Sequence, residues 1–244
     1  MLVRSPGEKF EPRAEKEWPL KRTQWTNLYL DPTEMSFSQK PIKQKTEVTY
    51  DMMGNGVTFA FPPQEQEVEI TGPMALKLFV SSSTVDADIF AIFRVFDPQG
   101  KEVLFHGALD PKTPVAQGWL RASHRKLDKK KSLPYRPWHS HDEKQPLTPG
   151  EIYELDVEIW PTCIVVPVGY SIALSIRGKD YEHDDAAAVL SNMKNPMKGC
   201  GPFVHDDEED RPPAIFGGKV TLHLGPKHAA RLLVPVIPKK KSKK

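Results

Sequence analysis

Five short stretches carry residue types that could do chemistry. Val168-Gly169-Tyr170-Ser171-Ile172-Ala173 comes within one residue of Gly-x-Ser-x-Gly, the sharp turn that presents a nucleophilic serine. His139-Ser140-His141-Asp142 has a His-x-His spacing that a strand could offer to a metal. His183-Asp184-Asp185 holds a histidine beside carboxylates, the pairing that orients a general base. Val204-His205-Asp206-Asp207-Glu208-Glu209-Asp210 concentrates acid, but lacks the interleaved Gly or Asn of a calcium loop. The end of the chain, PKKKSKK, is similar to a short import signal or a nucleic-acid patch.

Each stretch depends on the element that presents it. A serine elbow needs a strand, a tight turn and then a helix. After Ser171, however, Ile172, Leu174 and Ile176 alternate with Ala173 and Ser175, and Arg177-Gly178 ends the run. That period of two, with two β-branched residues, reads as a strand and places Ser171 and Ser175 on one face. The His139 segment contains Pro134, Pro137 and Pro146 and reads as a surface loop. The Asp206–Asp210 run reads as a solvated loop. Asp184 or Asp185 reads as the cap of a short helix ending near Met193. The lysine tail reads as a flexible end.

Period-two patterns dominate the rest. Tyr153, Leu155, Val157 and Ile159 alternate with Glu154, Asp156 and Glu158. Ile89, Ala91, Phe93 and Val95 form one face of a strand whose other face carries Phe90, Ile92 and Phe96, so this strand is predicted to be central and covered on both sides. Asp97-Pro98-Gln99-Gly100 is a turn, with a hairpin partner predicted over Glu102 to Ala108. Further strands are predicted around Leu76–Val80, at Lys219–Leu224 and at Arg231–Val236. The 24 prolines among 244 residues, roughly twice the usual ~5%, fit short strands better than long helices. The fold class is therefore all-β, a jelly-roll sandwich with few short helices.

Charge narrows the function classes. The net charge is +2, yet the five lysines of the tail account for it: without them 29 Lys and Arg face 32 Asp and Glu, a balance of −3. No nucleic-acid groove is expected in the folded part. Two cysteines, Cys163 and Cys200, are too few for a disulfide scaffold and read as reduced thiols. No apolar run reaches the ~18 residues of a membrane span, and the first ten residues have no signal-peptide core. The expected location is the cytoplasm, with the basic tail leaving the nucleus open.

Five motifs in order resemble one family. Gly72-Pro73, a strand, Ser81 to Ser83, Asp86-x-Asp88 and Asp97-Pro98-Gln99-Gly100 come first. Gly118-Trp119-Leu120-Arg121-Ala122 follows, then Pro149-Gly150-Glu151 before the long alternating strand, then Trp160-Pro161, and last Leu232 to Ile237. Together they resemble the C-terminal, galactose-binding-like jelly roll of the X-Pro dipeptidyl-peptidase and cocaine esterase-like serine hydrolases, from about residue 18 to 238. In those hydrolases a Ser, Asp and His triad lies in an α/β-hydrolase domain N-terminal to the jelly roll, which helps wall the active-site cleft. No Gly-x-Ser-x-Gly occurs in the 244 residues, so no catalytic residue is carried over.

The resemblance implies residues 1–40 as a connector trailing from a hydrolase domain, 41–238 as the jelly roll and 239–244 as a basic tail. Trp18, Trp25 and Tyr29 are the candidate docking residues. The expected partner is an α/β-hydrolase domain, in cis in the parent family or in trans, and homo-oligomerisation is left open. Neither a cofactor nor a metal is implied. Dipeptidyl-peptidase or esterase activity belongs to the parent family, and the chain by itself is expected to be inactive. The alternatives are an autonomous carbohydrate-binding or protein-interaction module, and an independent esterase using Ser171.

Overall fold

The computed structural model describes residues 1–184, 197–201 and 204–239. Among the described residues thirteen strands form two sheets. The larger sheet runs β2 (Lys9–Pro12), β1 (Leu2–Ser5), β10 (Tyr153–Val166), β7 (Val68–Ser82), β13 (Arg231–Ile237), β3 (Gln24–Asp31), β4 (Ser36–Ser38). On the far half of β7, β12 (Lys219–Leu224) replaces β13 as neighbour and carries β5 (Thr46–Asp51) outside it. The smaller sheet runs β6 (Val57–Ala60), β11 (Ser171–Arg177), β8 (Asp88–Phe96), β9 (Ala116–Arg121). Apart from the parallel β1–β10 contact, the pairs are antiparallel.

Alternation places the core between the sheets. Leu155, Val157 and Ile159 of β10 face Leu76 and Leu78 of β7 and Ile89, Ala91, Phe93 and Val95 of β8 in one buried cluster. The other face of β8 is covered too: Phe90 packs against His205 and beneath Arg211. The predicted central strand is thus enclosed on both sides, by the second sheet inside and by the 204–216 segment outside.

One predicted strand does not form. The predicted hairpin partner after Asp97–Gly100 amounts to a single bridge, Phe96 to Glu102, with Val103 N–H donating to Val95. The edge of β8 is taken instead by β9. Residues 1–40, expected as a connector, contribute β1–β4 to the larger sheet, where β3 pairs with β13 over six residues. The inward alternation of Leu28 and Leu30 explains their burial there. The helix predicted from Asp184 to Met193 falls, beyond Asp184 itself, outside the described residues. Among the described residues no helix is long and apolar enough to cross a membrane.

The motif acids fasten this frame. Asp86 accepts hydrogen bonds from Ser123 N–H at 2.9 Å and Ser123 Oγ at 2.6 Å. Asp88 takes the Arg121 guanidinium through both oxygens, at 2.8 and 2.9 Å, and lies 2.9 Å from Arg211 Nε. Arg211 also donates to the carbonyls of His205 and Gly178, at 2.7 and 2.6 Å. These paired carboxylates are anchors for β8, β9 and the 204–216 segment.

Candidate functional site

Exposed aromatic side chains surround a groove of about 820 Å3 beside β9 and the middle of β10. Trp18, Trp119 and Trp160 line it and are 49%, 43% and 61% exposed. Two backbone features make this possible. The β10–β7 register shifts between Ile159 and Thr162, and a bulge of this kind re-aims the side chain it carries, here Trp160 beside Pro161. Gly118 lets β9 approach β10: a Cβ there would stand 1.9 Å from the Glu158 carbonyl oxygen. The Trp119 and Trp160 rings meet with centroids 5.2 Å apart at 47°.

The polar wall of the groove holds a charge pair. His205 Nδ1 lies 3.0 Å from Asp180 Oδ1, and the His205 backbone N–H donates to Oδ2 at 2.6 Å. The bond to Asp180 raises the His205 pKa above its ordinary value, against the opposing effect of burial. Cys163 and Cys200 line the same groove as free thiols. Burial pushes both upward, Cys200 to about 12, which disfavours the thiolate form. The groove offers aromatic surface and hydrogen bonding rather than an activated nucleophile.

Of the residues singled out in the sequence, Trp18 lines this groove. Trp25 stacks on Tyr135, with centroids 4.5 Å apart at 6°, under the loop that crosses the outer face of the larger sheet. Tyr29 is half-buried on the same strand, opposite Ser38 and Arg231. The alternation of β3 fixes Trp25 and Tyr29 on one face, away from the groove that Trp18 enters. Trp119 and Trp160 lay inside recognised motifs, but only the bulge and the close β9–β10 approach bring them together.

Ser171 opens β11 opposite Phe96, after a turn in which Gly169 takes φ +83°. The near-elbow is a turn followed by a strand. His141 lies with its Nδ1 3.2 Å from that of His124, and His139 is close by. Among the described residues no group of three or more His, Cys, Asp or Glu is placed to hold a metal ion. In the acidic run, Asp210 pairs with Arg121 through two bonds of 2.9 Å.

One arrangement was invisible in the sequence. Ser81 Oγ lies 2.8 Å from His223 Nε2, and His223 Nδ1 lies 3.1 Å from Glu47. The order is that of a serine–histidine–carboxylate relay. Ser81, however, sits inside the paired, extended β7, and both it and His223 are buried, so the three residues tie β7, β12 and β5 together.

Fold and site together define an all-β sandwich with an aromatic-lined groove. The sequence profile described as the X-Pro dipeptidyl-peptidase C-terminal non-catalytic domain matches residues 2–232, and the chain belongs to that family. A protein of Mycobacterium bovis named as a serine esterase is 28% identical over 186 residues, which make up 74% of this chain and 24% of that protein. The cocaine esterase of a Rhodococcus species is 24% identical over 70% of this chain and 23% of its own length. A crystal structure of a CocE/NonD family hydrolase from Staphylococcus aureus superposes with a TM-score of 0.82 at 26% identity, covering 97% of this chain and 41% of that one. The chain thus spans about a quarter of the curated relatives and about two fifths of the solved hydrolase.

Proposed function

We propose that this sandwich packs against an α/β-hydrolase domain and walls its active-site cleft, with the Trp18–Trp119–Trp160 groove as the contact face. The observation that carries the reading is three exposed tryptophans around one groove. Aromatic surface of this kind marks interfaces, because tryptophan buries a large area at low entropic cost. Position supports it as well. The family is a C-terminal domain, so in its members the hydrolase part lies N-terminal to it, and β1 borders this groove through Arg4. The acyl-transfer chemistry would belong to the hydrolase domain, in cis or in trans, and the sandwich would supply shape and water exclusion.

A chimera tests this. The C-terminal sandwich of the Staphylococcus aureus hydrolase is replaced by this chain, and ester hydrolysis is followed. The chimera is expected to be active, and Trp119→Asp or Trp160→Asp to lower its kcat/KM by tenfold or more, about 1.4 kcal/mol. Substitutions that leave the activity of a working chimera unchanged would remove the groove from the interface. The 244-residue chain alone should resist a fluorophosphonate probe, and labelling at Ser171 or Ser81 would overturn the non-catalytic reading.

A further inference from the structure

The outer face of the smaller sheet carries a second cleft, polar rather than aromatic, of about 570 Å3. Alternation builds its floor. Ile172, Leu174 and Ile176 of β11 point into the core, which turns Ser175 and Arg177 outward beside Arg94 of β8 and Thr58 of β6. Asn55 and Tyr181 stand in the walls.

The two arginines differ. Arg94 is fully matched: Nε and Nη2 hold the two oxygens of Glu102 at 2.8 and 2.6 Å, and Nη1 donates to Ser175 Oγ at 3.2 Å. Tyr181 adds a hydrogen bond to the same Glu102 at 2.7 Å. Arg177 has no such counterpart. It is 6% exposed; the Tyr181 ring lies 5.9 Å away, and Glu182 and Asp180 act on it through charge, but among the described residues no carboxylate hydrogen-bonds to it. Its one hydrogen bond runs from Nη2 to Asn55 Oδ1 at 2.5 Å, and its Nε is buried without a partner. Burial first and the neighbouring Arg94 second press its pKa down, against the opposing charges of Glu182, Tyr181 and Asp180. A buried guanidinium that lacks a carboxylate is costly, and proteins retain few of them without a use.

We infer that this cleft binds a small organic carboxylate, held by the Arg177 guanidinium. A planar carboxylate matches the guanidinium fork, and the Asn55 amide and the Thr58 hydroxyl, itself 2.7 Å from Ser175 Oγ, line the cleft around it. Lys101, Glu102, Glu182 and Asp184 also line the cleft; with Glu102 matched by Arg94, Glu182 and Asp184 outweigh Lys101 and favour a monoanion over a dianion such as phosphate.

The test titrates the 15N-labelled chain with acetate and benzoate at constant ionic strength, using acetamide as the neutral isostere and inorganic phosphate as the dianion. Saturable shifts are expected at Asn55, Arg177 and Tyr181 with the carboxylates, with little response to acetamide and a weaker one to phosphate. Arg177→Met should weaken the carboxylate by at least about tenfold. Arg177→Lys, which keeps the charge without the fork, should weaken it as well and serves if the methionine variant does not fold. Unsaturable or scattered shifts, an equal response to acetamide, or a folded variant that binds like the parent would overturn the site. Tighter binding of phosphate would overturn the ligand class.

Discussion

Asp88→Asn should be among the most damaging isosteric changes in this chain. The side chain of Asp88 is 9% exposed and serves two arginines. Arg121 retains a second carboxylate, Asp210, when Asp88 is neutralised. Arg211 does not: its side chain is 2% exposed, and its other bonds go to backbone carbonyls. The substitution therefore strands a buried guanidinium, at a cost of about 3–5 kcal/mol, against about 5–15 kcal/mol for the whole stability of an ordinary domain. Asp210→Asn breaks an ion pair with the same Arg121, but the Asp210 side chain is 60% exposed, and such pairs contribute about 0–1 kcal/mol. Urea denaturation of both variants, followed by tryptophan fluorescence, gives the contrast directly. Equal losses in the two, or a loss under about 1 kcal/mol for Asp88→Asn, would refute the view that burial of Arg211 decides the energy.

Other substitutions separate the same kinds of effect. Gly118→Ala puts a methyl group 1.9 Å from the Glu158 carbonyl, so β9 and β10 must part by more than about 1 Å; a loss of about 1–3 kcal/mol in urea denaturation is expected, and a neutral result would contradict the close approach. His205 should titrate above its ordinary value by NMR, and Asp180→Asn should return it toward that value. Because its folded pKa is raised, the pair's contribution is complete below the unfolded value of about 6.5 and is lost as pH rises through the folded one. The stabilities of parent and Asp180→Asn should therefore differ more at pH 5.5 than at pH 9, and the reverse trend would contradict the assignment. Ser171→Ala should change stability by no more than about 0.5 kcal/mol, and a large loss would show a structural bond that the strand position does not predict.

The sequence by itself determined the strands, because a period of two with β-branched residues leaves little choice of element. β12 falls on the predicted residues, β13 extends one residue beyond its prediction, and the inward set of β10 is the set read from EIYELDVEIW. It also determined that the GYSIA stretch is not an elbow, since no helix can follow such alternation. The tertiary structure alone decided what meets what. Residues 1–40 looked irregular because three of their four strands have only three or four residues, and the order of the fourth, β3, appears only once it finds β13. Trp119 and Trp160 lie 41 positions apart, and a bulge in one strand with a missing Cβ in the other makes them neighbours. Asp88, Arg121, Asp210 and Arg211 come from three separate stretches, as do Ser81, His223 and Glu47. A local pattern specifies which face a side chain takes. Register and sheet packing are set by long-range pairing, and on those the groove, the anchors and the Arg177 cleft depend.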